Sequence, residues 1–310
     1  PDDRAALDDA LERALDPAGT RELSVEARFQ VRGEPWRRRW VALCGVTTFS
    51  GERRPERIIG TALDVTASRR SEADARFLAE AGRQVARSLD YDVTLRRVAR
   101  LAVPYLADYC LVDLLEEDGG PARLAAAAAI DRSIEEEVNQ VRARRALAPD
   151  APFGVQQVLR TGEPDRRDVD AALLALVERY DPERRRLMQE AAVTSYMVLP
   201  LAVRGRTLGA LTLLTAESGR RYDAEDQALA EELARRIALA IDNARLYREA
   251  QDAVRARDEF LSIASHELRT PLTPLQLQVQ SLRRMAARDE VPLDRLRQKL
   301  DVAERQVERL

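Results

Sequence analysis

From Asp223 to Leu310 the chain contains no glycine, and no proline occurs in this stretch before Pro271. Because glycine and proline are the residues that most often end helices, the stretch predicts one very long helix. An apolar residue recurs along it at strict seven-residue intervals: Leu233, Ala240, Tyr247, Val254, Leu261, Leu268 and Leu275. This period keeps one seam of a helix facing a partner, so it predicts a left-handed coiled coil and most simply a parallel dimer.

A regular coiled coil has a second series of apolar positions beside the first, and in this chain several positions of that second series are not apolar. Arg236, Asn243, Arg257 and Pro271 stand where a regular coiled coil would have leucine or isoleucine. We therefore expect a weak or interrupted seam. The alternative is an ordinary amphipathic helix that lies on its own domain.

Composition limits the kinds of partner. Apolar residues make up 45% of 310 residues, enough for more than one core. The 50 Lys and Arg and the 53 Asp and Glu are interspersed, which argues against nucleic acid. The longest apolar runs, 124–130 and 197–203, are much shorter than the roughly 20 residues that cross a bilayer. We expect no membrane segment in this fragment and a cytoplasmic location, although a longer protein could hold one upstream of Pro1.

The first 66 residues predict a helix followed by three antiparallel strands. The helix covers 4–15, and the strands cover 23–31, 39–48 and 58–65, where apolar and polar residues alternate or β-formers dominate. The opening Pro-Asp-Asp-Arg and the closing Asp-Val-Thr at 64–66 resemble the C-terminal half of a PAS sensor domain. We assign residues 1–66 to such a half and 67–72 to a linker helix.

The central region predicts helices on a sheet. Helical stretches cover 67–89, 94–106, 132–146 and 170–192, and strands cover 109–115, 123–130, 195–203 and 207–215, the last two joined by a turn at 204–206. This order favours an α+β sandwich. The segments ADYCLVDLLEEDG, VLRTGEP and LPLAVRGRTLGALTLLT occur in order and resemble a GAF domain, which we place at 73–248.

The segment RDEFLSIASHELRTPLTPL at 257–275 resembles the phosphoacceptor box of sensor histidine kinases almost residue for residue. The resemblance assigns 249–310 to the dimerisation and histidine-phosphotransfer (HisKA) domain. We expect a first helix to about Ala287, a turn at 289–292 and a second helix at 293–310. Two such hairpins would form a dimeric four-helix bundle.

Four residues of this box are candidate site residues. His266 is the predicted phosphoacceptor, on the side of the helix opposite Leu261, Ala264 and Leu268, and its ring has an unprotonated nitrogen near neutral pH. Glu267 is expected to hydrogen-bond the ring and raise its nucleophilicity. Thr270, one turn after His266, is in a position to orient a water, and the resemblance implies a phosphatase role for it. Pro271 predicts a helix kink that serves as a hinge.

The resemblance also implies cofactors and partners. A histidine kinase uses ATP and Mg²⁺ on a separate domain, which we expect to lie outside residues 1–310, so this fragment alone is expected to be inactive in cis. The expected partners are a second copy, a kinase ATP-binding domain and the receiver domain of a response regulator. Because His266 is the only histidine, haem or zinc ligation by imidazole in the GAF region is excluded and a bilin pocket is disfavoured. The GAF ligand stays unknown.

Two alternatives remain from other classes: a non-catalytic dimeric signalling scaffold, and a ligand-binding sensor module whose helices serve only as an output arm. The cysteines do not favour a metal or disulfide site, since Cys44 and Cys110 lie far apart and without CxxC spacing. Both are predicted to be buried core thiols.

Overall fold

The computed structural model describes residues 3–31, 34–86, 91–116, 120–144 and 147–286, and single positions between 294 and 304. The chain divides into two compact units, Pro1–Ala244 and Arg245–Leu310. The elements in chain order are α1 (Arg4–Leu15), β1 (Glu22–Val31), β2 (Glu34–Phe49), β3 (Pro55–Asp64), α2 (Thr66–Ala86), α3 (Tyr91–Tyr105), β4 (Tyr109–Leu114), β5 (Arg123–Ala129), α4 (Arg132–Arg144), α5 (Gly154–Thr161), β6 (Asp165–Asp168), α6 (Ala171–Tyr180), α7 (Pro182–Glu190), β7 (Ser195–Val203), β8 (Arg206–Thr215) and α8 (Ala224–Ala286). The predicted α+β class is confirmed.

The first sheet is the predicted antiparallel meander of order β1-β2-β3. α1 packs on one face of it through Ala10 and Ala14. Asp3 and Thr66 belong to the two motifs at the ends of this region, and both side chains form hydrogen bonds with residues of the sheet. The Asp3 carboxylate accepts hydrogen bonds from the backbone N–H and the Nε of Arg28 at 2.7 and 2.8 Å, and the Thr66 hydroxyl accepts one from the Trp40 N–H at 2.8 Å. The Arg28 guanidinium lowers the pKa of Asp3.

The other face of this sheet corrects the prediction for Cys44, which is exposed. Strand alternation places Cys44 on the same side as Val46, as expected, but that side is not covered by the described residues, and Val46 is 53% exposed. On β3, Ile59 and Leu63 are 61% and 64% exposed. The alternation was predicted correctly, whereas the choice of the buried face was wrong because α1 covers the opposite one.

Alkylation of the native protein is expected to modify Cys44 and to spare Cys110. Cys110 is fully buried in the central core, and burial raises the pKa of its thiol to about 12, so almost no thiolate is present at neutral pH. The measurement is iodoacetamide labelling followed by peptide mass mapping, with urea-unfolded protein as the control in which both cysteines react. Equal labelling of the two thiols in the folded protein would contradict the described burial.

The second sheet has five antiparallel strands in the order β5-β4-β8-β7-β6. Its two faces carry separate cores, because successive side chains of a strand point to opposite sides. On β4, Cys110 and Val112 join the core with α2, α3 and the first turns of α8, whereas Tyr109 joins the core with α5, α6 and α7. The predicted GAF-type sandwich is therefore a sheet with helices on both faces.

Two details of this unit differ from the sequence prediction, and one agrees with it. The predicted helix at 170–192 is two helices, because the Asp181 carboxylate accepts a hydrogen bond from the Arg184 N–H and so caps a new helix that starts with Pro182. The short elements α5 and β6 were not predicted, since eight and four residues are too few to show a period. The predicted hairpin turn is confirmed, with Arg204 and Gly205 at φ 50° and 75° between β7 and β8.

α8 begins on the core of the first unit, where Leu229, Leu233 and Ile237 are buried. For this part of the helix, the alternative of an amphipathic helix on its own domain is confirmed. In the second unit the same helix exposes apolar side chains of the seven-residue series: Tyr247 is 44%, Val254 48% and Leu261 52% exposed. Among the helices built from described residues, none is long and apolar enough to cross a membrane.

Candidate functional site

The phosphoacceptor-like segment at 257–275 lies within α8, as predicted. Alanine, leucine, arginine and glutamate dominate the preceding turns and are good helix formers, so the local sequence supports the helix. His266 is exposed, whereas Ala264 is half-buried. The imidazole of His266 is thus accessible to a second molecule. Leu261, which was predicted to lie on the opposite, buried side, is 52% exposed as well, so the predicted side of the helix stays a prediction.

Thr270 lies one turn after His266, and its hydroxyl donates a hydrogen bond to the backbone carbonyl of His266 at 3.0 Å. This bond from residue i to i−4 holds the hydroxyl on the His266 face of the helix. Thr270 is exposed, so the hydroxyl stays within reach of solvent. The structure therefore brings Thr270 and His266 together as the spacing predicted.

Glu267 is exposed and follows His266 directly. Neighbouring residues of a helix point in directions about 100° apart, so the spacing alone does not bring the carboxylate to the ring. Within the described part of the chain, neither Glu267 nor the His266 ring makes a side-chain hydrogen bond or ion pair. The hydrogen bond expected between them is not made in this structure and stays a prediction.

The helix continues through Pro271. The side chain of Pro271 lies outside the described residues, as does the predicted second helix apart from single helical positions between 294 and 304. The hinge role of Pro271 and the helical hairpin stay predictions.

Arg269 is a residue to which the sequence reasoning gave no separate role. It is exposed three positions after His266, which puts it on the same face of the helix. A guanidinium there would favour a phosphoryl group on the ring by charge. The sequence already indicated this position, because Arg269 follows His266 at the spacing i, i+3, which puts two residues on one face of a helix.

Large apolar side chains are exposed in the two turns before His266. Phe260 is 69%, Leu261 52% and Ile263 56% exposed. Large exposed apolar residues close together are typical of surfaces that bind other proteins. The exposed His266 thus lies on a helix that offers both a nucleophile and apolar surface for a partner.

Two family models match the chain. The model described as GAF domain matches residues 88–242, and the model described as His Kinase A (phospho-acceptor) domain matches residues 256–310. His266 and Thr270 fall within the second match. The match to the first covers the five-stranded sheet and most of its helices.

A curated relative is the circadian input-output histidine kinase CikA of Synechococcus elongatus, which is 28% identical over 117 residues. The matched region covers 30% of this chain and 16% of that protein. This chain therefore matches only a small part of the length of that kinase.

Solved structures of GAF domains also resemble the chain. The GAF domain of a phosphoenolpyruvate-protein phosphotransferase from Coxiella burnetii is 21% identical, with a TM-score of 0.45, and covers 57% of this chain and 96% of that one. The corresponding domain from Acinetobacter is 16% identical, with a TM-score of 0.43, and covers 56% and 95%.

Proposed function

We propose a chemical role for His266 from the premise that this chain belongs to the GAF domain family and carries the sensor and phosphoacceptor domains of a histidine kinase. One ring nitrogen of His266 attacks the γ-phosphorus of ATP, the bond from that phosphorus to the bridging oxygen breaks, and ADP leaves. The proton on the other ring nitrogen passes to the carboxylate of Glu267. The phosphoryl group then moves from His266 to an aspartate of a response regulator.

The observation that carries this proposal is the exposure of the His266 ring on a helix inside the phosphoacceptor match. A histidine kept for packing would be buried or paired, whereas this ring is open to a docked domain. Thr270 supports the same proposal. Its hydroxyl is held one helical turn from His266, where it can orient a water for hydrolysis of the phosphoryl group on a docked regulator.

ATP and Mg²⁺ are the substrate of the whole kinase, and we expect them to bind on a separate ATP-binding domain. That domain acts on His266 either in the same chain or in a second copy. The proposal requires a cytoplasmic location for these domains, since ATP is the phosphoryl donor.

The proposal includes a homodimer. HisKA domains typically dimerise, and Tyr247, Val254 and Leu261 expose large apolar surfaces at the predicted seam. Covering such a series against a second copy removes it from water, which favours association. In this dimer the GAF domain biases the helices and thereby the access of the kinase domain to His266.

The test is to incubate the chain with Mg-ATP and the ATP-binding domain of the full-length protein. We expect phosphate that is labile in acid and stable in base, as for a phosphoramidate on histidine. Trypsin cuts after Arg257 and Arg269, so the phosphate should map to the peptide between them, which contains the only histidine of the chain. Phosphate on any other peptide, or no acid-labile phosphate at all, would exclude the role and leave the dimeric scaffold as the better hypothesis.

A further inference from the structure

The five-stranded sheet has two edge strands, β5 and β6, and they differ in how they are protected. β6 is only four residues long, and all four, Asp165–Asp168, are charged. A short charged edge strand is a common protection against pairing with another chain. β5 has seven residues, of which five successive ones, 125–129, are alanine. Small uncharged side chains leave the backbone at this edge open to a further strand.

The backbone groups of Ala127 and Ala129 point away from β4. The N–H of Ile130 donates a hydrogen bond to the carbonyl of Asp108, which directly precedes β4, at 3.0 Å. The pairing of β5 with β4 is regular from Ala126 to Ala129. Because successive residues of a strand direct their N–H and C=O to opposite sides, Ala129 and Ala127 present theirs at the outer edge.

Side chains complete the hydrogen bonds of Ala129 but not those of Ala127. The N–H of Ala129 donates to Glu135 Oε2 at 3.1 Å, and its carbonyl accepts a hydrogen bond from Arg100 Nη1 at 2.8 Å. For Ala127, which is half-buried on the same edge, the described residues supply no such partner. Open backbone groups at a sheet edge are a template for a strand from another chain.

Ala127 lies in a surface groove of about 550 Å³ beside this edge. The groove runs between α2, α3 and the first turn of α4, and most of its side chains are polar. Its other lining residues are Gln84 from α2, Arg96, Arg97, Arg100 and Leu101 from α3, and Glu135 from α4.

The groove carries a positive charge. Three arginines and one glutamate line it, which gives a net charge of +2. Arg100 Nη2 pairs with Glu135 Oε2 at 2.6 Å, so these two charges compensate each other. Arg96 and Arg97 are exposed, and no carboxylate of the described chain pairs with them. The positive charge of the groove therefore comes from Arg96 and Arg97.

Carboxylates on the neighbouring helix turns do not cancel this charge. Glu80 of α2 accepts hydrogen bonds from Arg83 and from Gln84 Nε2, the latter at 2.6 Å. Asp92 of α3 accepts one from Arg123 Nη2 at 3.2 Å. Neither carboxylate lines the groove, and each has an arginine partner of its own.

The same charge disfavours a second copy of this chain as the strand that covers β5. In an antiparallel pair of β5 strands related by a two-fold axis, the grooves of both copies lie side by side. Arg96 and Arg97 of one copy would then approach the same arginines of the other, and like charges repel. A strand that carries carboxylates has the opposite charge and fits the groove.

We propose that the β5 edge binds an extended acidic segment of a partner protein, which adds a strand to the five-stranded sheet. The N–H and C=O of Ala127 exchange hydrogen bonds with one residue of that segment. Every second side chain of an extended segment points to the same face, so acidic residues at alternate positions all face α3, where they pair with Arg96 and Arg97. This role goes beyond the proposed function of His266 and does not depend on it.

Fluorescence anisotropy with the whole chain tests the charge preference. The probe is a labelled ten-residue peptide in which glutamate and threonine alternate, and its control has lysine in place of glutamate. We expect the glutamate peptide to bind and the lysine peptide not to bind. Because exposed charges are screened by salt, binding should weaken several-fold between about 20 and 300 mM NaCl.

Two N-methylated forms of the glutamate peptide test the strand pairing. One form is methylated at the amides of the glutamates and the other at the amides of the threonines, so each removes the N–H groups of one edge of the extended peptide. Only one edge can face β5. We expect one form to lose binding and the other to keep most of it, whereas equal affinities of the two forms would contradict pairing with β5.

The variant Arg96→Gln/Arg97→Gln tests the two arginines, and Arg160→Gln/Arg206→Gln is the matched control. Arg160 and Arg206 are also exposed and have no carboxylate partner within the described ranges, but they lie outside the groove. Both variants therefore lose the same charge. We expect the first to bind the glutamate peptide roughly 5- to 30-fold more weakly, since it loses two exposed ion pairs, and the second to bind it like the wild type.

The variant Ala127→Pro removes the outward N–H. Proline is tolerated at an edge position whose N–H does not pair within the sheet, so the fold should be kept and peptide binding weakened. If this variant does not fold, the arginine variants and the methylated peptides still decide the question.

Three results would overturn the proposal: equal binding of the lysine peptide, unchanged affinity of Arg96→Gln/Arg97→Gln, or binding of a single-stranded thymidine decamer as tight as that of the glutamate peptide. The last result would show that the groove responds to negative charge alone. None of these readouts contains a phosphorylation step, so a failure here is distinguishable from a failure of the proposed role of His266.

Discussion

Replacing His266 by glutamine is expected to abolish phosphoryl acceptance. Glutamine is similar in size and polar, so the exposed helix surface is preserved, but its amide nitrogen is not a nucleophile. No second histidine exists in the chain to take over the role. The measurement is incorporation of acid-labile phosphate from Mg-ATP, catalysed by the ATP-binding domain of the full-length protein.

Two further variants make this result specific. Ser262→Ala changes an exposed side chain one turn before His266 and should incorporate phosphate at the wild-type rate. Glu267→Gln removes the proposed base and should slow incorporation by roughly 10²- to 10⁴-fold without moving the site. Acid-labile phosphate on His266→Gln, or equal losses in the Ser262 and His266 variants, would be incompatible with an acceptor role for His266.

Replacing Arg142 by methionine is expected to be strongly destabilising. The side chains of Arg142 and Asp113 are 13% and 0% exposed, and the described structure gives the Asp113 carboxylate no other hydrogen bond. Removal of one partner of a buried pair leaves an uncompensated charge, which costs about 3 kcal/mol or more. For a domain of this size we expect the melting temperature to fall by roughly 6–12 °C.

The pH dependence of this loss follows from Asp113. Burial raises the pKa of Asp113 above its value in the unfolded chain, and the loss of Arg142 raises it further. A carboxyl group with a raised pKa destabilises the fold when it is ionised, so the deficit of Arg142→Met should be largest near neutral pH and shrink as the pH falls through the raised pKa. Denaturant unfolding at several pH values measures it.

The double variant Arg142→Met/Asp113→Leu is the control for lost packing. It replaces both charges by apolar groups and should recover most of the stability that the single variant loses. Arg83→Met, which breaks an exposed ion pair with Glu80, should change the unfolding free energy by less than about 1 kcal/mol. If the double variant were as unstable as Arg142→Met, side-chain volume and not charge would be the cause.

Much of the architecture could be predicted from local patterns. The helix at 4–15, the three-stranded meander and the hairpin at Arg204 and Gly205 are set by alternation and turn residues that act over a few positions. The split of the helix at 170–192 was visible in principle, because Asp181-Pro182 is a helix start.

In the candidate site, too, some features follow from the local sequence and others do not. That Thr270 lies on the same face of the helix as His266 follows from helical spacing alone, because a helix fixes which residues share a face. The contact between Glu267 and His266 does not follow from spacing, since neighbours on a helix point apart. Cys44 was assigned to the wrong environment because alternation divides a strand into two faces but does not say which face α1 covers.

By itself, the sequence determined the long α8 helix, the seven-residue apolar series and the accessible His266, because these depend on residues close together in the chain. Only the tertiary structure decided that Leu233 belongs to the core of the first unit while Val254 is exposed, and that Asp113, Arg142, Arg184 and Thr212 meet around one cavity. These four residues come from β4, α4, α7 and β8, and their convergence depends on how the helices pack on the sheet. Such packing is a property of contacts between distant segments, which no local period encodes.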